Sequence, residues 1–257
     1  MIQRLTGYNT ARMNALHRLI TAIPSPMRSR LIEFAAAWSA RAIAGSEFPT
    51  RLIWYMTDRC NAKCNHCFYH RSVRGESSDV LTTEQVLDIV RSLPARMDTV
   101  TLTGGEPTLR ADLPGICRGL YHFNRTKKIS IVTNGIDTDT IIGRLSEILS
   151  TTGLNLHLIV SLDGLRGEHD GFRNVGGAFD AAVNTIRAAK KISLENRRLN
   201  YVAAQTTIHA GNTSSLQPLI HYVRNETHAA HQFQWLRESG SLTAPPGLRV
   251  NRGMNPP

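Results

Sequence analysis

From Arg51 onward the chain repeats one pattern. A short apolar or β-branched run leads into a turn rich in glycine or polar side chains, then into a stretch with apolar residues at helical spacing. The strand-like runs are Leu52 to Tyr55, Val100 to Leu102, Ile129 to Thr133, Leu156 to Leu162, Leu199 to Ile208 and Phe233 to Leu236. Between them, helical stripes fall first on Val86, Ile89, Val90 and Leu93, then on Leu113, Ile116, Cys117 and Leu120. Further stripes are Ile141, Ile142, Leu145, Ile148 and Leu149; Phe179, Val183 and Ile186; and Leu216, Leu219, Ile220 and Val223. Thr82, with Gln85 three residues on, predicts a capping box at the first of these helices. Asp112 and Asp137 stand where the next two begin. Strands alternating with helices must pair in parallel through crossover connections. Five full units and a sixth strand therefore predict an α/β fold, an open or partial (β/α)6 TIM-like barrel. In such folds the active site collects at the C-terminal ends of the strands, and the glycine-rich and polar turns of this chain fall at such ends.

The same pattern predicts three segments. Residues 1–45 read as two helices, one with Met13, Leu16, Ile20 and Ile23 on a face and ended by Pro24. The other is opened by Pro26 and striped by Leu31, Phe34 and Trp38. Residues 46–237 form the barrel, and 238–257, with Pro245-Pro246 and Pro256-Pro257, read as an irregular tail. The formal net charge is +10, but the basic residues are scattered and not gathered into a stripe interleaved with aromatics. The charge therefore reads as a solvated surface, and nucleic acid is not expected as a partner. No apolar run approaches the length of a membrane span, and the N-terminus has no signal-like architecture. Four cysteines, three of them in one loop, argue against a disulfide framework and for a reducing compartment. Cytoplasmic placement is the expectation.

That loop is Cys60-Asn61-Ala62-Lys63-Cys64-Asn65-His66-Cys67, just beyond the first strand. Thiolates are soft ligands that favour zinc and iron–sulfur clusters. Clusters usually take four cysteines; three leave one metal corner without a protein ligand, and an open position is what catalytic metal sites keep. A zinc knuckle completed by His66 or His70 is the competing reading of the loop alone. Cys117 falls on a helical stripe and reads as a small core hydrophobe. A second motif, Gly104-Gly105-Glu106-Pro107, follows the second strand. Paired glycines let a ligand approach the backbone, and a carboxylate there can pair with an ammonium group.

Together the C-x3-C-x2-C loop and the Gly-Gly-Glu-Pro turn resemble the cluster loop and GGEP motif of the radical S-adenosylmethionine (SAM) superfamily, over about Leu52 to Leu236, with His66 at the usual aromatic position. The resemblance implies that Cys60, Cys64 and Cys67 hold a [4Fe–4S] cluster whose fourth iron binds SAM. It implies that Gly104, Gly105, Glu106 and Pro107 contact the SAM amino group, that Ser161 and Asp163 reach the ribose, and that Arg173 pairs with the SAM carboxylate. Thr133 and Asn134 either line the pocket or make a capping turn before Asp137. Strand five and Phe233-Gln234-Trp235 are expected against the adenine. The implied reaction is reductive cleavage of SAM by an electron from an external flavodoxin- or ferredoxin-like donor, giving a 5′-deoxyadenosyl radical that abstracts hydrogen. No catalytic side chain is named by this reading, and the substrate stays open between a peptide and a small metabolite. Branches that modify peptides or make molybdopterin often carry a cysteine-rich C-terminal extension. No cysteine follows Cys117, so a short member or a truncated copy of a longer protein is expected. A non-catalytic SAM- or cluster-binding protein and a zinc-binding module remain as rival classes.

Overall fold

Six parallel strands stand side by side in chain order, in a computed structural model that describes residues 49–67 and 81–236. They are β1 (Arg51–Tyr55), β2 (Thr99–Thr103), β3 (Lys128–Thr133), β4 (Asn155–Ser161), β5 (Leu199–Ile208) and β6 (Ala230–Trp235). Helix α1 (Thr83–Ser92) lies between β1 and β2, α2 (Leu113–Phe123) follows β2, and α3 (Thr138–Thr151) follows β3. Two helices, α4 (Arg166–Arg173) and α5 (Ala178–Glu195), separate β4 from β5. The last, α6 (Leu216–Tyr222), runs into one π turn (Val223–Thr227). This is the predicted parallel α/β sheet, open between β1 and β6. The helices expected within 1–45, the tail at 238–257 and His70 lie outside the described residues.

The period of two along each strand decides what each face does. In register, Val100, Ile129, Leu156 and Leu199 form one row, and Leu102, Ile131, Leu158 and Val202 the next. Both rows are buried against Val86, Val90, Ile116, Leu120, Ile141, Leu145, Phe179 and Ile186 of the helices. Each such aliphatic side chain contributes roughly 1.5–3 kcal/mol by leaving water. The intervening residues, among them Thr101, Thr103, Ile159, Ser161, Gln205 and Thr207, line a cleft on the opposite face. That face mixes polar side chains with apolar ones such as Ile53, Val132 and Ile159, which is why the strands do not run apolar throughout.

Local signals behave as their chemistry requires. Thr82 Oγ1 accepts from the Gln85 amide (3.3 Å) while Gln85 Oε1 accepts from the Thr82 amide (2.9 Å), completing the predicted capping box. Asp137 caps α3 through the Thr140 amide, 3.1 Å. Two elements depart from expectation. Helix α4, Arg-Gly-Glu-His-Asp-Gly-Phe-Arg, has no apolar stripe. It is held at its start by Glu168 accepting from the Leu165 amide (3.4 Å) and closed by Asn174 at φ 54°. Strand β6 begins at Ala230 and not Phe233, because Ala230–Gln232 pair with Ala203–Gln205 despite lacking apolar character. Among the described residues no helix is long and apolar enough to cross a membrane.

Candidate functional site

The turns after the strands converge. Cys60, Cys64 and Cys67 line one cleft of about 330 Å³ together with Gly104, Gly105, Thr133, Asn134, Ser161 and Arg173, while Glu106, Pro107 and Asp163 stand behind that lining. All three loop cysteines are outside any disulfide, with Cys64 buried and the other two half-buried. Cys117 is also free but lies wholly within the core on α2, as its stripe position predicts. The three thiols share the cleft without being gathered into a closed metal cage among the described residues. Three soft donors opening on one cleft, with the fourth cysteine elsewhere, suit a soft metal centre that keeps an open corner. Burial pushes the Cys60 thiol up to about 11, the Cys64 and Glu106 charges add to this, and donors from Ala62 and Asn134 oppose it. Metal ligation would therefore release a proton here.

The cysteine loop is fastened to the end of α4. The Lys63 amide donates to Arg173 O (3.2 Å), the Asn65 amide to Phe172 O (2.9 Å) and Asn65 Nδ2 to Gly171 O (3.1 Å). These are final-turn carbonyls, which a helix leaves without internal partners. Asn134 reaches the loop from the end of β3, donating to Asn61 Oδ1 (2.7 Å) and to Cys60 Sγ (3.7 Å). His66 lies flat on Phe172 (4.4 Å, 5°), and Phe172 lies flat on His209 (4.1 Å, 6°), so three rings from three segments form one stack. Sequence reasoning missed His209 and Asn212; the turn His209-Ala210-Gly211-Asn212 after β5 is the one signal that could have found them, and nothing in it indicates their partners.

The glycine pair has a tighter task than ligand approach. The Gly105 amide donates to Thr57 O (2.6 Å) and the Glu106 amide to Arg59 O (2.8 Å), so these amides are taken by the segment that leads into Cys60. A Cβ on Gly105 would lie 2.2 Å from Arg59 O. Glu106 is 1 % exposed. Its Oε1 accepts from the Thr108 amide (3.2 Å), Thr108 Oγ1 (2.6 Å) and Thr133 Oγ1 (2.9 Å); its Oε2 accepts from the Asn134 amide (2.7 Å). Burial raises its pKa against the opposing pull of these donors. Thr133 and Asn134 line the cleft and donate to Glu106, and their side chains accept from the Gly135 and Ile136 amides in the turn before Asp137.

Asp163 is placed differently from the expectation of a ribose contact. Its Oδ2 accepts from Arg173 Nε (2.8 Å) and Nη2 (2.5 Å), and its Oδ1 from the Thr207 amide (2.8 Å). Its backbone is held as well, its amide donating to His169 Nδ1 (3.0 Å) and its carbonyl accepting from Asn212 Nδ2 (2.9 Å). The side chain is fully buried. Burial alone would raise its pKa, but the adjacent Arg173 charge brings it below the usual range. Arg173, expected at a carboxylate ligand, directs two nitrogens at Asp163 and its third, Nη1, at Cys64 Sγ, 3.5 Å away. Ser161 lines the cleft. Of the expected adenine contacts, Gln205, Gln234 and Trp235 line it too.

A family model described as "Radical SAM superfamily" matches residues 54–215. Among curated proteins, the chain is 33% identical over 177 residues to Fe-coproporphyrin III synthase of Methanosarcina barkeri, covering 68% of the chain and 41% of that protein. It is 30% identical over 170 residues to pre-heme d1 synthase of Dinoroseobacter shibae, covering 66% and 39%. To GTP 3',8-cyclase of Lactiplantibacillus plantarum it is 26% identical over 189 residues, covering 73% and 54%. The chain thus spans about half the length of the curated relatives it matches. The solved structure of anSMEcpe with bound AdoMet and Cp18Cys peptide superposes with a TM-score of 0.56 at 20% identity, over 76% of this chain and 54% of that one. Methylornithine synthase (PylB) does so with a TM-score of 0.55 at 20% identity, over 90% and 66%. These structural likenesses bear on the fold.

Proposed function

The chain belongs to the radical SAM superfamily, whose members are enzymes built on a [4Fe–4S] cluster and SAM, and from that premise we propose that Cys60, Cys64 and Cys67 hold the cluster. The observation that carries this is the shared cleft: three cysteines outside any disulfide line it beside Gly104 and Gly105, and Cys117 is buried elsewhere. When bound, the cluster supplies the electron that cleaves SAM and so initiates hydrogen abstraction from the substrate. An external flavodoxin- or ferredoxin-like donor supplies that electron in turn.

The chain's own residues position and tune. Glu106 keeps acceptor capacity on Oε2, which takes one protein donor against three on Oε1, and it offers that oxygen to the SAM ammonium. Gly104, Gly105 and Pro107 hold the turn that presents it. Asn134 ties the turn to the cysteine loop, and Ser161 offers a hydroxyl on the wall of the cleft. Asp163 acts one step back, by holding Arg173. The substrate is a peptide or a small metabolite.

The test is ligation. Anaerobic reconstitution of the full chain should give about four irons per chain and a brown charge-transfer spectrum, with slow release of 5′-deoxyadenosine when dithionite and SAM are added. Cys60→Ala, Cys64→Ala and Cys67→Ala should each lose the iron, and Cys117→Ala should retain it. Iron retained by any of the first three, or lost equally from Cys117→Ala, would overturn the assignment.

A further inference from the structure

Arg173 faces two ways. Nε and Nη2 are anchored on Asp163 Oδ2 at 2.8 and 2.5 Å, which leaves Nη1 aimed at Cys64 Sγ, 3.5 Å away. Both members of the ion pair are buried, with side chains 9 % and 0 % exposed. Cys64 is itself buried, so solvent screens the interaction weakly. The direction of the guanidinium is over-determined. Asp163 is fixed by the Thr207 amide, and its backbone by His169 and Asn212. The Arg173 carbonyl is fixed by the Lys63 amide of the cysteine loop itself.

We infer that the Asp163–Arg173 pair sets the reduction potential of the cluster held by Cys64. This rests on the ligation proposed above. Reduction adds one electron, supplied by a low-potential one-electron donor, and makes the centre more negative by one charge. A cationic donor on a ligating sulfur stabilises the more negative state and raises the potential, since hydrogen bonds to the sulfurs and nearby charge are among the protein's levers on it. The pair contributes opposite terms at unequal distances: the guanidinium touches the sulfur, and the carboxylate lies behind it. Arg173 therefore pulls the potential up, and Asp163 moderates the pull as well as holding the side chain in place.

The two halves can be removed separately. In the reconstituted full chain, Arg173→Gln removes the cation and leaves the carboxylate; Asp163→Asn removes the carboxylate and leaves the cation. Electron paramagnetic resonance during redox titration reads the reduced fraction directly, without substrate turnover. Arg173→Gln should make the cluster at least about tenfold harder to reduce, and Asp163→Asn shift the equilibrium the other way. For a one-electron couple, tenfold is about 59 mV. The double variant should titrate between them. A merely structural pair would move both variants in the same direction, and that result overturns the inference, as do two variants that titrate with the parent. If Arg173→Gln fails to hold iron, Asp163→Asn decides alone: an upward shift supports the inference, and no shift or a downward one overturns it. Loss of iron from both variants also overturns it, because it assigns the pair to scaffolding. A parent without iron would instead overturn the ligation on which all of this rests.

Discussion

Glu106 and Asp163 are two carboxylates placed alike and treated differently. Each follows a parallel strand, one after β2 and one after β4, and each is almost wholly buried, at 1 % and 2 % exposure. Glu106 is surrounded by neutral donors, namely the Thr108 and Asn134 amides and the Thr108 and Thr133 hydroxyls, and burial prevails to raise its pKa. Asp163 meets a guanidinium, whose attraction outweighs burial and lowers its pKa. A buried carboxylate with its own cation is a closed pair. One with neutral donors alone still lacks a positive charge and is suited to receive it from a ligand. Behind one cleft, the sign of the shift separates the carboxylate held by neutral donors from the one held by a cation.

The most severe way to break this arrangement is to disturb the turn that carries Glu106. A Cβ on Gly105 would meet Arg59 O at 2.2 Å and Arg59 C at 2.7 Å, and both are backbone atoms of the approach to Cys60. Gly104 sits at φ +123°, with Thr57 O at 2.6 Å from an added Cβ. Overpacking of this kind costs typically 1–3 kcal/mol, and more where the backbone must move. Gly105→Ala should exceed about 3 kcal/mol and lose its iron. Gly143→Ala in α3, where an added Cβ meets nothing within 4 Å, should be neutral or slightly stabilising. Iron content and urea unfolding check both. A Gly105→Ala protein with the parent's iron and midpoint would remove the close packing from the account.

The comparison itself is sharpened by neutralising each carboxylate in turn. Asp163→Asn strands a buried guanidinium and should cost about 3–5 kcal/mol of folding stability. Glu106→Gln strands no cation and should cost about 1–3 kcal/mol, the scale of an imperfectly satisfied buried polar group. SAM affinity should rank the other way: Glu106→Gln is expected to weaken it about 10- to 100-fold, and Asp163→Asn to weaken it less. Urea midpoints and equilibrium dialysis of SAM against the reconstituted proteins give the two rankings. Identical rankings in both assays would collapse the distinction between the two carboxylates.

Much of this was legible in the sequence, because strand ends are marked locally. Periodicity located the strands, the cysteine spacing located the loop, and Thr82 and Asp137 located two caps. What was illegible depends on partners far along the chain. Arg173 and Cys64 are 109 residues apart, and Asp163 and the Thr207 amide 44; Asp163 and Arg173 are only 10 apart, but helix α4 carries no periodic stripe from which their meeting could be read. The amides of Gly105 and Glu106 also have distant partners. A glycine pair that accommodates a ligand and one that accommodates the neighbouring turn look identical in sequence, and only the bonds to Thr57 O and Arg59 O separate them. Helix α4 was missed for a different reason: it buries His169, Phe172 and Arg173 rather than an aliphatic stripe.

The smallest expected effect lies directly behind Asp163. His169 is 0 % exposed, its Nδ1 accepts from the Asp163 amide, and its ring meets the edge of Phe179 at 6.3 Å. Burial holds its pKa at about 4; the Asp163 charge opposes this and the Arg173 charge reinforces it. An unfolded histidine titrates near 6.5, so between about pH 6.5 and 4 the unfolded chain binds the extra proton. Stability from His169 is thus fully present above about pH 6.5 and declines as pH falls towards 4. Glu106 acts with the opposite sign, since a raised folded-state pKa means that acidification through it favours the folded state. The two nodes therefore differ in pH response as well as in partner. His169→Asn should flatten the fall in stability between pH 6.5 and 5, by on the order of 1 kcal/mol over that interval, whatever its cost at neutral pH. Glu106→Gln should steepen it. Urea unfolding of the three proteins across that range checks both signs, and parallel curves would show that neither group changes its protonation on folding.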